Sequence, residues 1–223
     1  MKGKNEKRGN QYEEIESIKG LVQDIDRQHS VLNKEGEFLY NTAKNCTGKG
    51  VIIEIGSWKG KSTIWLGKGS KAENKVKVYA IDPHIGSPIH RKIYGKVWTF
   101  PEFSKNIRMA NIDDIVLPIV KTSEEAEKDW GSQPIEFLWI DGNHEYEFVK
   151  LDFDKWFPHL IDGGIIAFHD TISFPGPRRV IIDEIYKSRN FINVGLINSI
   201  TFAKKVSSNS LSDRLKNYCL LFW

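Results

Sequence analysis

The chain has 223 residues, a formal net charge of +3 at pH 7 and a hydrophobic content of 40%. This length suits one large domain with a sheet buried on both faces, and the scattered basic residues do not indicate a nucleic-acid groove. No apolar run approaches the roughly 20 residues that span a bilayer, and the opening MKGKNEKRG lacks the apolar core of a signal peptide. We therefore expect a cytoplasmic protein that binds neither nucleic acids nor membranes.

Two cysteines, Cys46 and Cys219, are far apart and fit no metal-binding or redox spacing. Reduced thiols are the simplest interpretation, and a single disulfide is the alternative.

The order of elements is read from apolar periodicity. Residues 1–12 are predicted to be a disordered basic tail, and 13–223 a single domain. That domain divides into N-terminal helices (13–46), a core sheet (50–206) and a C-terminal tail (207–223). In the core, five β-rich runs lie at 51–55, 76–81, 115–120, 135–140 and 164–169. Helical segments are predicted near 61–70, 102–110, 123–130, 146–157 and 177–189, and the runs FINVGLI and ITFAKKV should pair as a closing antiparallel hairpin.

Alternating strands and helices, with nearly continuous apolar strands, predict a parallel sheet covered on both faces. The fold class is therefore α/β: a doubly wound, mostly parallel, seven-stranded Rossmann-like sheet. In such sheets ligands bind beyond the carboxyl ends of the strands, where the strand order reverses. Five residues that suit such a rim come directly after a strand or its exit: Gly56, Asp82, Ser123, Asp141 and Asp170.

The first strand and its exit read VIIEIGSWKGKSTIWL, residues 51–66. Gly56 and Gly60 allow a sharp turn and a close approach to a ligand. The helix that follows offers free N–H groups and the positive end of its dipole. Glu54 brings a carboxylate into the strand, which requires donors or a cation nearby. The alternative is an ordinary strand-to-helix turn in which Glu54 pairs locally.

This spacing lacks the third glycine of the dinucleotide fingerprint and the Lys-Ser/Thr ending of a P-loop. Glu-x-Gly-x-x-x-Gly instead resembles the first motif of class I S-adenosylmethionine (SAM)-dependent methyltransferases, whose acid and glycines surround the methionine end of a cationic sulfonium. Trp58 stands where many members have another glycine. This departure is also seen in the catechol O-methyltransferase-like branch. The resemblance implies a cofactor site formed by Glu54, Gly56, Ser57, Trp58, Gly60, Ser62 and Thr63.

Asp82 ends the second strand in YAIDPH, and Pro83 stops that strand. A carboxylate here can accept both ribose hydroxyls of an adenosine, whereas the alternative is a turn-initiating Asp before Pro. By resemblance, Asp82 is the ribose-binding acid and Ser123 lies near the adenine. Ser123 also suits a helix N-cap.

Residues 137–170, FLWIDGNHEYEFVKLDFDKWFPHLIDGGIIAFHD, resemble a methyltransferase family with the pattern I-D-G-x-H-x-Y, D-x-x-x-W, G-G and H-D. That family includes macrolide-sugar O-methyltransferases and cephalosporin-hydroxylase-like proteins. The likeness covers about residues 50–170.

Asp141 ends one strand, and His169 and Asp170 end the next, so the three converge on one spot. Carboxylates suit Mg²⁺, and an added imidazole tolerates other divalent ions. Related metal-dependent members have three acidic or amide oxygens there, whereas this chain has His169 in one of those positions. A metal held by Asp141, His169 and Asp170 is predicted, and a local hydrogen bond between His169 and Asp170 is the alternative.

His144, three residues after Asp141, is the predicted base that removes the proton from an acceptor hydroxyl. Asp141 and His169 complete the predicted catalytic set. The alternative for His144 is a structural hydrogen bond to the Asp141 loop. Asp152 and Trp156, four residues apart on the next helix, should pack and hydrogen-bond only.

The acceptor site is expected in two segments, 84–101 and 173–179. Long connections at a binding edge commonly form lids or substrate walls. In the first, His84, His90, Arg91 and Trp98 are predicted to meet a polar or sugar-bearing acceptor. The N-terminal helices should cover the site or form a dimer face, and the apolar end YCLLFW should pack on the sheet or on a second subunit of a homodimer.

Together these patterns predict a SAM-dependent O-methyltransferase for a hydroxyl of a small molecule or glycosylated metabolite, assisted by Mg²⁺ or another divalent metal. The alternatives are a nicotinamide-dependent oxidoreductase on a similar sheet and a binding protein without turnover. The missing third glycine argues against the first of these.

Overall fold

The computed structural model describes residues 2–25, 31–87, 91–93 and 95–220. The strands are β1 Val51–Ile55, β2 Val78–Ile81, β3 Val116–Ile119, β4 Ile135–Ile140, β5 Leu160–Phe168, β6 Phe191–Ile197 and β7 Ile200–Lys205. The helices are α1 Lys2–Val22, α2 Asn33–Lys44, α3 Lys61–Ala72, α4 Phe100–Met109, α5 Ser123–Lys128, α6 Tyr146–Trp156, α7 Pro175–Val180 and α8 Leu211–Cys219. A π-helical turn, Ile181–Tyr186, continues α7.

One seven-stranded sheet runs through the molecule in the order β3-β2-β1-β4-β5-β7-β6. Strands β1 to β5 are parallel, and β7 runs antiparallel between β5 and β6. The predicted doubly wound sheet with a closing antiparallel hairpin is confirmed. Since the strand order reverses between β1 and β4, the carboxyl ends of these two strands mark the expected ligand crevice.

Strand side chains alternate between two cores, one on each face of the sheet. Ile52 points into the core covered by α1 to α4, whereas Ile53 and Ile55 point into the core covered by α5 to α7. Glu54 shares the face of Ile52 and therefore points toward α3. This alternation fixes the direction of the carboxylate inside the first strand.

Three parts of the chain differ from the prediction. The backbone of residues 2–12 belongs to α1, where the sequence predicts a disordered tail. Strand β5 begins at Leu160, before the predicted run 164–169, so Gly163 (φ +87°) and Gly164 lie inside it, where the pairing with β4 shifts register as at a bulge. The C-terminal tail contains α8, and residues 221–223 of the YCLLFW segment lie outside the described residues.

Both cysteines are free thiols, with Cys46 buried and Cys219 exposed. Among the described helices, none combines the length and the apolarity needed to cross a membrane.

Helices α2 and α3 pack unusually close because small residues face the contact. A Cβ added to Gly69 of α3 would lie 2.2 Å from the backbone oxygen of Tyr40 in α2. Tyr40 is itself fully buried. The two helices therefore cannot separate or slide without opening the core.

We predict opposite effects for two helical glycine substitutions. Gly69→Ala should lower the free energy of unfolding by about 1–3 kcal/mol, the usual cost of overpacking. Gly20→Ala, in α1 where an added Cβ meets nothing within 4 Å, should raise it by about 0.5–1 kcal/mol. Urea unfolding of the full chain measures both. Equal stability of Gly69→Ala and wild type would contradict the close packing of α2 on α3.

Candidate active site

The turn after β1 lies directly against the end of β4. Gly56 has φ +89° and donates its N–H to the carbonyl of Ile81 at 2.9 Å. A Cβ at Gly56 would lie 2.1 Å from the backbone oxygen of Asp141. Only glycine meets both demands, the left-handed backbone and the missing side chain. The predicted cofactor turn and the predicted catalytic strand end are thereby held in contact.

Glu54 is completely buried beneath this turn. Ser62 Oγ donates to its Oε1 at 2.5 Å, and Thr63 Oγ1 donates to Oε2. The three predicted site residues are therefore brought together, but their side chains face one another. Glu54 fastens β1 to the first turn of α3 and has no exposed surface with which to contact a ligand directly.

The charge of Glu54 is sensitive to what binds nearby. Burial raises the pKa of Glu54 to about 8, two hydroxyl donors oppose this, and the carboxylates of Asp141 and Asp82 raise it further. Three acids thus crowd one end of the sheet. A cation bound there would relieve the repulsion and favour ionised Glu54.

Asp82 joins the turn after β1 to the loop after β2. Its Oδ2 accepts the N–H of Trp58 at 2.7 Å, and its Oδ1 accepts the N–H of His84 at 2.6 Å. Trp58 (φ +46°) and His84 (φ +57°) both adopt the left-handed conformation. This explains why glycine suits the position of Trp58 in the resembling family. Such backbone strain persists where surrounding contacts enforce it and is frequent at functional sites.

Ser57, in the same turn, has a buried hydroxyl with no hydrogen-bond partner among the described residues. Buried hydroxyls are normally paired. An unpaired one beside the turn is a polar group available to a ligand.

The predicted substrate wall is only partly where the sequence placed it. His84 is fully buried and bonds through Nδ1 to Thr99 Oγ1 at 2.9 Å, so it does not face a substrate. Trp98 is 52% exposed, and Arg91 donates to the Gly86 carbonyl at 2.7 Å. His90 lies outside the described residues.

Asp141, His144 and Asp170 form a cluster at the ends of β4 and β5. One ligand atom from each lies within 4.8 Å of the others. His144 Nε2 is 3.3 Å from Asp170 Oδ2 and 4.0 Å from Asp141 Oδ1. Burial raises the pKa of Asp141, but the neighbouring His169 and His144 lower it more, so it lies below its usual value. Two carboxylates and an imidazole form a donor set that suits a divalent cation.

The third member of the cluster differs from the prediction. The sequence predicts His169 with Asp141 and Asp170, whereas the structure places His144 there and His169 on the side of α2. The Nδ1 of His169 is 3.2 Å from Asp141 Oδ1 and 3.4 Å from Asp170 Oδ2. Its Nε2 is 3.4 Å from Oε2 of Glu35 in α2. Burial lowers the pKa of His169, but these three carboxylates raise it to about 12. Among the described residues, the group that could hold a metal is Asp141, His144 and Asp170, without His169.

The segment 173–179 does reach the cluster. The ring of Phe174 lies 4.2 Å from that of His144, centroid to centroid. Arg179 lies 4.2 Å above the ring of Tyr146, just beyond the His144 loop. This predicted wall therefore covers the histidine side of the site.

The side chain of Ser123 is hydrogen-bonded to residues of α6. Its Oγ accepts from Trp156 Nε1 at 2.8 Å, and it also bonds to Asp152, whose pKa burial raises to about 7. Asp152 and Trp156 thus pack and hydrogen-bond as predicted. The N-cap of α5 is Thr122, which accepts from Glu125 N at 3.3 Å, so the N-cap prediction for Ser123 is wrong by one residue.

Glu35 and Ser199 were not among the predicted residues. Glu35 is buried and lies 134 positions from its partner His169. Leu32 at the N-cap hides the usual Ser/Thr-x-x-Glu capping signature. No local pattern in the sequence points to this pair.

The fold is a Rossmann-like doubly wound sheet whose strand order reverses between β1 and β4. A family model described as a methyltransferase domain matches residues 53–171, and the chain belongs to this family.

The curated relative y4gI of Sinorhizobium fredii, an uncharacterised protein, is 28% identical over 121 residues. The match spans 54% of this chain but 13% of that protein. The O-methyltransferase TomG of Streptomyces achromogenes, involved in tomaymycin synthesis and solved with SAM, superposes with a TM-score of 0.63 at 15% identity, covering 87% of this chain and 90% of TomG. An O-methyltransferase of Bacillus cereus, solved with SAH, gives 0.60 at 18% identity over 86% and 91%. At these identities the superpositions establish the fold.

We predict that Glu54→Gln changes how stability depends on pH. A folded-state pKa above the unfolded value means that folded Glu54 binds the extra proton, so its contribution is present below pH 4.5 and declines as pH rises toward 8. The wild-type free energy of unfolding should therefore fall relative to that of the variant by up to about 1.4 kcal/mol per pH unit in this window.

Urea unfolding at several pH values between 4.5 and 8 tests this without any ligand. Groups that do not interact with Glu54 titrate equally in both proteins and cancel in the difference. Parallel pH profiles for the two proteins would contradict the raised pKa of Glu54.

Proposed function

We propose that the protein is a SAM-dependent methyltransferase that methylates a hydroxyl group of a small molecule. The observation that supports this most is the arrangement of Glu54, Asp82 and the Gly56 turn at the reversal of strand order. Glu54, Asp82 and Asp141 lie close enough to repel one another at one end of the sheet, in a chain of the methyltransferase family. A cationic cofactor would neutralise their repulsion.

The free side chains and backbone groups fit such a cofactor. Asp82 is fixed by two backbone N–H groups, which leaves lone pairs of its oxygens for the ribose hydroxyls. Ser57 offers an unpaired hydroxyl, and the N-terminus of α3 offers N–H groups to the carboxylate of a methionine moiety. Bound SAM would supply a methyl group that leaves its sulfur for the acceptor oxygen.

Asp141 and Asp170 would hold a divalent cation such as Mg²⁺, which commonly binds one or two carboxylates and keeps several waters. When bound, such an ion lowers the pKa of an acceptor hydroxyl. His144 is 33% exposed and is oriented by Asp170 at 3.3 Å. It is the group that would take the hydroxyl proton, on Nδ1, since Nε2 faces the carboxylate of Asp170.

The acceptor would enter between the His144–Phe174 ring pair and the exposed Trp98. These rings suit a partly apolar or sugar-bearing molecule, because aromatic faces bury such groups well. The identity of that molecule is left to an acceptor screen.

We predict that Asp82→Asn weakens SAM binding about 10- to 100-fold, since hydrogen bonds to a charged group contribute about 1.5–3 kcal/mol. Calorimetric titration of full-length protein with SAM measures this. The control is Asp129→Asn, an exposed acid paired with Lys121, which should bind as wild type. No binding by the wild-type protein at millimolar SAM, with stabilisation by a nicotinamide dinucleotide instead, would favour the oxidoreductase alternative.

We also predict that His144→Ala reduces methyl transfer about 10²- to 10⁴-fold, the usual contribution of a general base, while SAM affinity stays unchanged. Labelled SAM and a panel of phenolic and sugar-bearing alcohols provide the assay, with Mg²⁺ present. His159→Ala is the control, because His159 contacts Glu127 away from the site. Turnover of His144→Ala equal to wild type would exclude the assigned base.

A further inference from the structure

A buried carboxylate on the N-terminal helix α2 reaches the candidate active site. Glu35 is 1% exposed and accepts three hydrogen bonds besides its contact with His169. Leu32 N donates to Oε2 at 2.7 Å, while Ser199 N and Oγ donate to Oε1 at 3.0 and 2.7 Å. Burial raises the pKa of Glu35, but these bonds and His169 lower it to about 2. One side chain therefore joins α2, the β6–β7 turn and the end of β5.

The fold leaves Glu35 little freedom to move. A Cβ at the next residue, Gly36, would lie 2.2 Å from the buried ring of Trp65 in α3. The first turn of α2 is thus pressed onto the same helix whose first residues hold Glu54. The backbone that carries Glu35 is fixed to the cofactor half of the site.

His169 is directed at Glu35 by strand alternation. Ala167 points into the core beneath α2, and His169, two residues on, points to the same face. Its ring lies 5.6 Å from that of buried Trp139. With Nε2 toward Glu35 and Nδ1 toward the two acids, the ring spans the distance between α2 and the cluster.

Helix capping alone does not require this arrangement. Glu125 makes the same capping-box contact at the start of α5, with Thr122 N at 3.0 Å, yet it is exposed and meets no histidine. Helix capping therefore does not explain why Glu35 is buried or why it also contacts His169 at the end of β5.

We propose that Glu35 is a positioning residue of the active site: it holds His169 by Nε2, so that Nδ1 keeps the carboxylates of Asp141 and Asp170 side by side. An ionised carboxylate only accepts hydrogen bonds, so each ring nitrogen must present an N–H to its acid partners. Through this relay, α2 sets the distance between the two acids that face the acceptor. The catalytic meaning of this role rests on the proposed methyl transfer.

Glu35→Gln tests the role with little change in volume. The amide retains one oxygen acceptor, but it cannot accept hydrogen bonds on both atoms. The matched control is Glu125→Gln, which alters an equivalent capping box whose acid has no contact with His169. Both variants are made in the full-length protein.

The first readout is the nuclear magnetic resonance signal of the His169 ring N–H groups, assigned through the neighbouring Trp139 ring. Glu35→Gln should shift the Nε2–H signal and speed its exchange with water, whereas Glu125→Gln should leave it as in wild type. An unchanged Nε2–H signal in Glu35→Gln overturns the proposal. This readout needs neither cofactor nor acceptor.

The second readout separates catalysis from cofactor binding. Methyl transfer to the best acceptor of the panel should fall at least about 10-fold in Glu35→Gln, as for partners that orient ligands in an active site, with an unchanged SAM dissociation constant. Unchanged transfer overturns the proposed role. Failure of wild type to bind SAM would instead refute the proposed function, while the ring signal still decides whether Glu35 holds His169.

Should Glu35→Gln not fold, Ser199→Ala removes only one donor to Glu35. It should move the same Nε2–H signal by a smaller amount. No movement in Ser199→Ala would overturn the proposal.

Discussion

A carboxylate with no exposed surface organises this molecule. Glu54 sits inside β1, faces α3 because strand side chains alternate, and is satisfied by the hydroxyls of Ser62 and Thr63. An unpaired buried carboxylate would be far too costly to keep, so the strand end and the helix start are locked to each other. The Gly56 turn between them then rests on the end of β4. This junction fixes the position of the Gly56 turn and thereby its contact with Asp141.

The same helix, α3, connects the two halves of the site. Its N-terminus binds Glu54 on the cofactor side, and its buried Trp65 fixes Gly36 and hence Glu35 on the catalytic side. Negative charge is balanced differently in the two halves. On the catalytic side, His169 lies among Glu35, Asp141 and Asp170. On the cofactor side, Asp82 interacts with the imidazole of His84, but burial keeps the pKa of His84 below its usual value, so a cationic ligand is most favourable there.

The sequence predicts the sheet well because its strands are apolar runs bounded by turn residues, as in VIIEI and IEFLWI. It also predicts that Asp141, His144 and Asp170 share a rim, since the carboxyl ends of parallel strands meet at one edge. The sequence does not predict which of the histidine side chains at this rim faces the crevice. Whether His144 or His169 faces outward depends on strand parity and on Glu35, which is 134 residues away. Likewise, the burial of His84 depends on its left-handed backbone and its bond to Thr99, and neither has a local signature.

We infer that the acids crowded at the ends of β1 and β2 bind a cationic sulfur nucleoside. Counting protons during SAM binding tests this inference most directly, with calorimetry near pH 7 in buffers of different ionisation enthalpy. Burial and neighbouring acids keep Glu54 protonated in the free protein, and an arriving cation favours its ionised form. We expect SAM binding to release protons in the wild-type protein and not in Glu54→Gln. Binding with no proton release, or with proton uptake, would contradict this inference.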